Sequence, residues 1–156
     1  MIKTHILIRK AEIKDAKRIA DFNILMARET EGKELDKKIV LEGVKAVIND
    51  PHKGFYLIAE KTSNSKEIVG QLMVTFEWSD WRNKCFWWIQ SAYIDKKFRK
   101  RGIFSRLYEH IVKMANLRGD VSGLRLYVEK HNETAKQVYE SLGFIKTSYE
   151  IYQIKF

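Results

Sequence analysis

The sequence predicts one mixed α/β domain, and three observations support this. The chain has 156 residues, which is long enough for one domain with a substantial core and short for two. Hydrophobic residues make up 45% and charged residues 31%, which is the usage of a globular protein rather than of a disordered one. Segments with helical periodicity alternate with segments of strand character and no linker separates them, so residues 1–156 are predicted to form a single domain.

The domain is predicted to begin with one strand and two helices. His5 to Arg9 has the composition of a short strand. Apolar residues at helical spacing predict a helix from about residue 12 to residue 29. A second helix is predicted from Asp36, as its cap, to Ile48. Pro51 ends that helix, because proline disfavours a helical conformation in the residue before it.

Three strands are predicted to follow. Residues 55–60 and 67–77 form a hairpin by composition, joined by a turn rich in Ser, Thr and Asn. Residues 85–94 make a further strand that is rich in aromatic residues. Trp87 and Trp88 are neighbours on this strand and must point to opposite faces, and we expect their large rings to fill the core.

The second half of the chain predicts two more helices. A helix that begins near Gly102 has a broad apolar face, which must lie against a sheet, and Arg118-Gly119-Asp120 closes it. Residues 124–128 alternate as a strand, Asn132 can cap a short helix through Leu142, and residues 144–156 have strand character again. The predicted element order is therefore β-α-α-β-β-β-α-β-α-β-β.

The charge and the cysteine content limit the possible partners. The net charge of +9 favours a polyanion: nucleic acid, a membrane surface or a phosphate-bearing cofactor. No stretch approaches the roughly 20 apolar residues that span a bilayer, and the start of the chain lacks the apolar region of a signal peptide. We therefore expect a cytoplasmic protein without a membrane segment. Cys85 is the single cysteine and the four histidines lack ligand spacing, so no internal disulfide and no metal site are predicted.

Basic residues concentrate just before the helix at Gly102. They are Lys96, Lys97, Arg99, Lys100 and Arg101. A strand end, a basic turn and a helix start together favour phosphate binding, because the first amides of a helix point outward and its dipole adds positive charge. The segment is neither a Walker loop nor a dinucleotide fingerprint, because it lacks Gly-Lys-Ser/Thr and has one glycine. The alternative interpretation is a solvated, charged helix start.

Two motifs of the sequence resemble motifs of one known family, and they occur in the same order along the chain. Residues 93–105, Tyr-Ile-Asp-Lys-Lys-Phe-Arg-Lys-Arg-Gly-Ile-Phe-Ser, resemble the acetyl-coenzyme A signature of the GNAT superfamily of N-acetyltransferases. Residues 132–144, from Asn-Glu-Thr-Ala to Tyr-Glu-Ser-Leu-Gly-Phe, are similar to that family's second motif. The element order predicted above matches the family across nearly the whole chain.

The resemblance implies a fold and a cofactor. The fold would be a mixed, mostly antiparallel sheet of about six or seven strands, with splayed central strands and about four flanking helices. The strand ending at Ile94 would pair with the pantetheine arm of acetyl-CoA, and amides from Arg101 to Ser105 would hold its pyrophosphate. Phe104 stands where the family usually has Gly or Ala, so contacts at this position are the least secure. The predicted cofactor-binding residues are Tyr93, Ile94, Arg99, Lys100, Arg101, Gly102, Ile103, Phe104, Ser105, Asn132 and Tyr139.

The resemblance also implies direct attack of an amine on the thioester. Tyr139 occupies the family's general-acid position, although a packing role on its helical apolar stripe is the alternative. Gln90 stands where many members carry a Glu, and an amide does not accept a proton usefully at neutral pH. Either water removes the proton or another carboxylate does. Glu77 is the candidate we choose, and a plain surface charge is its equally weighted alternative.

The acceptor is predicted to be a small-molecule amine or a peptide. Trp78, Asp80 and Trp81 are predicted to bind it, because aromatic and acidic groups can hold a cationic amine. Two other functions stay open: a basic nucleic-acid-binding module, and an acyl-CoA-binding protein without catalysis. We expect no nucleic-acid partner, and a monomer or a homodimer, with residues 149–156 offering an edge for association.

Overall fold

The computed structural model describes residues 5–156, so the extreme start of the chain, which entered the signal-peptide expectation, lies partly outside the described residues. Five strands form within that range: β1 (Ile6–Lys10), β2 (Phe55–Lys61), β3 (Glu67–Ser79), β4 (Lys84–Ile94) and β5 (Val121–Leu126). Four α-helices accompany them: α1 (Ala16–Glu31), α2 (Lys37–Asn49), α3 (Ile103–Arg118) and α4 (Glu133–Ser141). The chain divides into two compact units, one that ends at Leu126 and one that spans Tyr127–Phe156.

The five strands form one sheet in the order β1-β2-β3-β4-β5. Three neighbouring pairs are antiparallel and only β4 and β5 run parallel, which confirms the expected mixed, mostly antiparallel sheet. The expected count of six or seven strands was too high, because residues 144–156 contain no strand. The alternating apolar residues of this segment indicate only which face a strand would bury. A strand also needs a neighbouring strand for its backbone hydrogen bonds, and alternation alone does not provide one.

Local chemistry explains where the helices begin and end. The Asp36 carboxylate accepts hydrogen bonds from the amides of Lys38 and Ile39, so the predicted cap of α2 is confirmed. The first predicted helix starts with a single 3₁₀ turn at Ile13–Asp15, and α1 then continues to Gly32, whose φ of 61° ends it.

Strand β5 begins three residues earlier than the sequence predicted, at Val121 rather than residue 124. Ser122 and Gly123 carry little strand signal of their own. They are extended because Val121 and Gly123 pair with Cys85 and Phe86 of β4. Tertiary pairing therefore overrides local propensity at this position.

The helices of the first unit cover both faces of the sheet. On one face, α1 and α2 pack against β2 through a buried cluster that contains Ile19, Val44, Tyr56 and Ile58. On the other face, the fully buried Trp87 contacts Phe55 and Phe76. The guanidinium of Arg118, at the end of α3, lies 5.9 Å from the centre of the Trp87 ring. Trp87 therefore fills the core on the α3 face, as expected, and Trp88 points to the face covered by α1 and α2.

A charged cluster joins β1, β2 and the start of α1. Arg9 donates to Asp15 at 2.7 Å and to Glu60 at 2.9 Å, and Asp15 is only 5% exposed. Burial alone would raise the pKa of Asp15, but the bonds from Arg9 and from the Glu12 amide lower it below its usual value. The hydrogen bond from Arg9 likewise lowers the pKa of Glu60. The cluster is stable because both carboxylates stay ionised beside the guanidinium.

We expect Arg9→Met to lower the free energy of unfolding by about 3 kcal/mol, because it leaves two buried carboxylates without their cation. In the wild type, the lowered pKa values of Asp15 and Glu60 increase the free energy of unfolding above about pH 4. This contribution is lost as the pH falls through the pKa values of the folded state. Urea unfolding between about pH 7 and pH 3 measures both effects, and the variant should show the shallower acid loss. Lys14→Met removes an exposed pair with Glu12 and should leave the midpoint unchanged. Equal midpoints for the two variants would contradict the assignment.

Candidate active site

Strands β4 and β5, the last pair in the order of the sheet, separate partway along β4. Their parallel pairing ends at Ile89 and Leu126, whereas β4 continues to Ile94 alongside β3. A bulge lies in this continuing segment, where Ser91 has a φ of 49° and the register with β3 shifts. In the first unit, the β5 side of β4 from Gln90 to Ile94 is therefore left without a neighbouring strand. This is the splay that the resemblance implied.

A buried glutamine holds the bulge in place. Gln71, which is 0% exposed, donates from Nε2 to Asn23 Oδ1 at 2.7 Å and to the Ser91 carbonyl at 3.3 Å. Asn23 in turn donates to the Tyr56 hydroxyl at 3.3 Å. The side chains of α1, β2 and β3 thus fix the backbone of β4 where the two strands part.

The turn after β4 presents the start of α3. Lys100 and Gly102 both have positive φ, at 59° and 71°, and α3 begins directly afterwards at Ile103. The first amide bonded back along the helix is that of Arg106, which donates to the Gly102 carbonyl. The preceding amides lack intrahelical acceptors by geometry. A Cβ on Gly102 would meet no atom within 4 Å, so the space beside this backbone is open. The turn thus leaves room beside the first amides of α3, and phosphate binding there stays a prediction.

Glu29 of α1 organises the basic residues of this turn. Its carboxylate accepts from Arg99 at 2.7 Å and from the Tyr93 hydroxyl at 2.6 Å, and Lys96 lies at 3.4 Å. Arg99 also donates from Nε to the Ile94 carbonyl at 2.9 Å. Burial and the Glu29 carboxylate raise the pKa of Tyr93 to about 12. The predicted cofactor residues Tyr93 and Arg99 are thus bonded to Glu29, and their contact with a ligand stays a prediction.

The other residues of the turn differ in their exposure. Lys100 and Arg101 are exposed, and neither has a carboxylate partner among residues 5–156. The guanidinium of Arg101 lies over the Phe98 ring, 5.3 Å from its centre. Ile103 is buried in the core at 3% exposure, whereas Phe104 and Ser105 are half-buried. Two cations therefore remain available to an anion at the helix start.

The predicted base and acceptor residues lie apart from one another. Glu77 accepts from Arg125 at 2.7 Å and from the Trp88 indole at 2.6 Å, so each oxygen has a donor. Trp78 follows Glu77 on β3 and therefore points to the opposite face. The predicted acceptor residues end in solvent, with Trp78 at 61% and Trp81 at 86% exposure.

Two further predicted residues hydrogen-bond to near neighbours. Asp80 accepts a hydrogen bond from the amide of Trp81 within the β3–β4 turn. Gln90 donates to the Thr75 hydroxyl on β3. Both side chains thus have local structural partners, and their roles toward an acceptor or a proton stay predictions.

The second unit holds the remaining predicted site residues. The Asn132 side chain accepts from the Ala135 amide at 3.1 Å, so Asn132 caps α4 as predicted. The half-buried Tyr139 ring lies 5.9 Å from that of Phe144, edge to face. Burial raises the pKa of the Tyr139 phenol above its ordinary value. Tyr139 therefore keeps its proton at neutral pH, as a general acid must.

A cavity of about 470 Å³ lies between α1, α2 and the sheet. Its lining includes Asn23 of α1, Gly43 of α2, Tyr56 of β2 and Ser91 of β4. Neither this cavity nor the role of Glu29 was predicted from the sequence. One signal was available: Asn23 is a polar residue on the otherwise apolar stripe of α1, and such a residue often serves a site. Glu29 carried no such signal, because its partners are distant in sequence.

The profile of the GNAT acetyltransferase family matches residues 18–144, which is most of the chain. The chain belongs to this family. A possible acetyltransferase from Clostridium difficile 630 is 44% identical over 97% of each chain and superposes with a TM-score of 0.90. The family assignment supports acetyl transfer from acetyl-CoA as the general activity. It also explains why the splayed strands and the basic helix start occur together.

More distant solved structures share the fold. A predicted acetyltransferase from Clostridium acetobutylicum, solved with acetyl-CoA, is 20% identical over 96% of each chain, with a TM-score of 0.77. A ribosomal-protein-alanine N-acetyltransferase from Brucella melitensis biovar Abortus 2308 is 17% identical over 97% of this chain and 99% of that one, with a TM-score of 0.76. No functionally curated protein matches the sequence.

None of the helices within residues 5–156 is both long enough and apolar enough to cross a bilayer. Over the same range, the His, Cys, Asp and Glu side chains form no group of three that could hold a metal ion.

We expect Glu77→Gln to leave thiol release from acetyl-CoA within about twofold of wild type, because both oxygens of the Glu77 carboxylate already accept hydrogen bonds, from Trp88 and from Arg125. The free energy of unfolding should fall by about 1 kcal/mol as the pair with Arg125 is lost. Glu67→Gln is the matched control, since Glu67 is 41% exposed and Glu77 is 42% exposed. A hundredfold loss of rate in Glu77→Gln alone would assign the base to Glu77.

Proposed function

We propose that the protein transfers an acetyl group from acetyl-CoA to a primary amine in a ternary complex. One observation carries the proposal: the turn from Ile94 to Ser105 joins an unpaired strand edge to a helix start that is open to an anion. Membership of the GNAT family gives this geometry its chemical meaning. The proposal treats residues 1–156 as one acetyltransferase domain.

Two parts of the first unit suit the two ends of acetyl-CoA. From Gln90 to Ile94, the side of β4 that faced β5 earlier in the strand has no neighbouring strand. The peptide groups on this side can form hydrogen bonds with the amide groups of the pantetheine arm. The amides that open α3, together with Lys100 and Arg101, can hold the diphosphate. Arg99 and Glu29 shape the turn rather than supply free charge. When bound, acetyl-CoA supplies an activated acyl group.

The transfer requires one bond to form and one to break. The lone pair of the neutral amine forms a bond to the thioester carbonyl carbon, and the carbon–sulfur bond breaks with its electron pair on sulfur. The nitrogen releases one proton, and the departing thiolate gains one. We assign the second proton to Tyr139, whose raised pKa keeps its hydroxyl protonated at neutral pH. We assign the first to solvent water, because Gln90 is an amide and Glu77 is already hydrogen-bonded.

A second candidate function rests on Gln90. Without a carboxylate at position 90, the protein could bind acyl-CoA without turning it over. Binding and turnover separate the two candidates when they are measured on one preparation.

We expect acetyl-CoA affinity to fall at least about tenfold in the Lys100→Ala/Arg101→Ala double variant, because charge-assisted hydrogen bonds to phosphate are lost. Isothermal titration calorimetry at two salt concentrations measures this, and the salt dependence should weaken as well. Lys45→Ala, an exposed lysine on α2, is the control and should match wild type. Titration with a short RNA belongs in the same series. RNA binding without acetyl-CoA binding would overturn the proposed function.

We expect Tyr139→Phe to lower kcat by about 10²–10³-fold while the Kd of acetyl-CoA stays within about twofold, because the hydroxyl acts only on the leaving group. Thiol release and calorimetry measure the two quantities. Tyr149→Phe, at a side chain that is 76% exposed, controls for loss of any tyrosine hydroxyl. Unchanged kcat in Tyr139→Phe would remove the acid role and leave Tyr139 as a packing residue.

A further inference from the structure

The cavity between α1, α2 and the sheet has mostly apolar walls. The apolar lining residues are Met26, Ala27, Leu35, Val40, Val44, Val47 and Met73. Two charged side chains also line it, Glu31 and Lys33, and these form an ion pair with each other. The cavity therefore offers no uncompensated carboxylate to a cation, and its volume of about 470 Å³ suits a small molecule.

Apart from this ion pair, the polar side chains that line the cavity are neutral, and those of Asn23 and Tyr56 are already oriented by hydrogen bonds. Asn23 Nδ2 donates to the Tyr56 hydroxyl, and Asn23 Oδ1 accepts from Gln71. Tyr56 is only 4% exposed, so this part of the lining lies deep. Ser91 also lines the cavity, and it belongs to the β4 segment that β5 leaves unpaired. The neutral polar groups therefore lie at the strand where the proposed function places the acyl donor.

We infer that this cavity binds the acceptor, and that the acceptor is a primary monoamine with an apolar body, such as an alkylamine or an arylalkylamine. The inference rests on the proposed function and names its substrate class. The apolar walls would cover the body, and the neutral groups near Ser91 would receive the amine. Polyamines and amino sugars fit less well, because the apolar walls offer an additional ammonium or hydroxyl no hydrogen-bond partner in exchange for its hydration.

The same walls help to explain catalysis without a carboxylate at position 90. Desolvation disfavours the charged form of an amine and lowers its pKa, so an apolar cavity increases the fraction of neutral nucleophile. The titratable groups that line it are Glu31, Lys33 and Tyr56. The lining residues from α2, β3 and β4 carry none. The rate should therefore rise with pH as the amine deprotonates, rather than follow an enzyme carboxylate.

Gly43 provides a way to add bulk at the wall of the cavity without disturbing the core. It lines the cavity from an exposed position of α2, and a Cβ added there would meet no atom within 4 Å. Gly43→Phe introduces a ring at the wall, and Gly43→Ala is the matched control with the same helical backbone. Gly43 does not belong to the β4–α3 turn, so acetyl-CoA binding should be unchanged in both variants.

The test compares four amines at saturating acetyl-CoA: phenethylamine, hexylamine, spermidine and glucosamine. We expect kcat/KM for phenethylamine and hexylamine to exceed that for the other two by at least about a hundredfold. Gly43→Phe should raise the KM for phenethylamine at least about tenfold, whereas Gly43→Ala should stay within about twofold. Calorimetry of phenethylamine with the protein saturated in coenzyme A measures binding independently of turnover.

The outcomes separate the two proposals. A preference for spermidine or glucosamine would overturn the inference and leave the proposed function standing, as would equal KM values in Gly43→Phe and Gly43→Ala. Absence of phenethylamine binding in a protein that binds acetyl-CoA would also overturn only the inference. A protein that binds no acetyl-CoA and releases no thiol with any amine would overturn the proposed function itself.

Discussion

The separation of β4 from β5 is the constraint on which the candidate site depends. It leaves one side of the end of β4 without a neighbouring strand, which ordinarily costs free energy because peptide groups lose their partners. The bulge at Ser91 and the amide of Gln71 maintain it. Gln71 makes this contact at a further cost, because its buried Oε1 has no hydrogen-bond partner among the described residues. An unpaired buried oxygen costs about 1–3 kcal/mol, so the geometry is held against the preference of the sheet.

Charge is divided between structure and function within one short turn. Arg99 and Lys96 are both paired with Glu29, whereas Lys100 and Arg101 stay exposed beside the positive end of α3. The net charge of the chain could not separate these roles, because it counts every cation equally. The structure separates them by proximity to one carboxylate. Surface ion pairs contribute little to stability as a rule, so the value of this cluster lies in fixing the shape of the turn.

Much of the fold was accessible from the sequence because it depends on local signals. The cap at Asp36, the start of α3 after Gly102 and the cap at Asn132 each rest on neighbouring residues, and all three predictions were confirmed. Prediction from the sequence pattern failed where a residue distant in the chain decides the local structure. Residues 144–156 are an example, because their apolar residues alternate but they form no strand. Glu29 and the cavity were missed for the same reason, since each exists only once α1 lies beside the sheet.

The hydrogen bonds that Glu29 accepts from Tyr93 and Arg99 affect how fast an anionic ligand can associate with the turn. A turn whose side chains are already bonded in the free protein loses little conformational entropy when a ligand arrives. Encounter with a polyanion then needs no slow rearrangement of the loop, and long-range attraction from the exposed cations can set the on-rate. A preformed turn of this kind therefore favours fast association of the coenzyme that the proposed function requires.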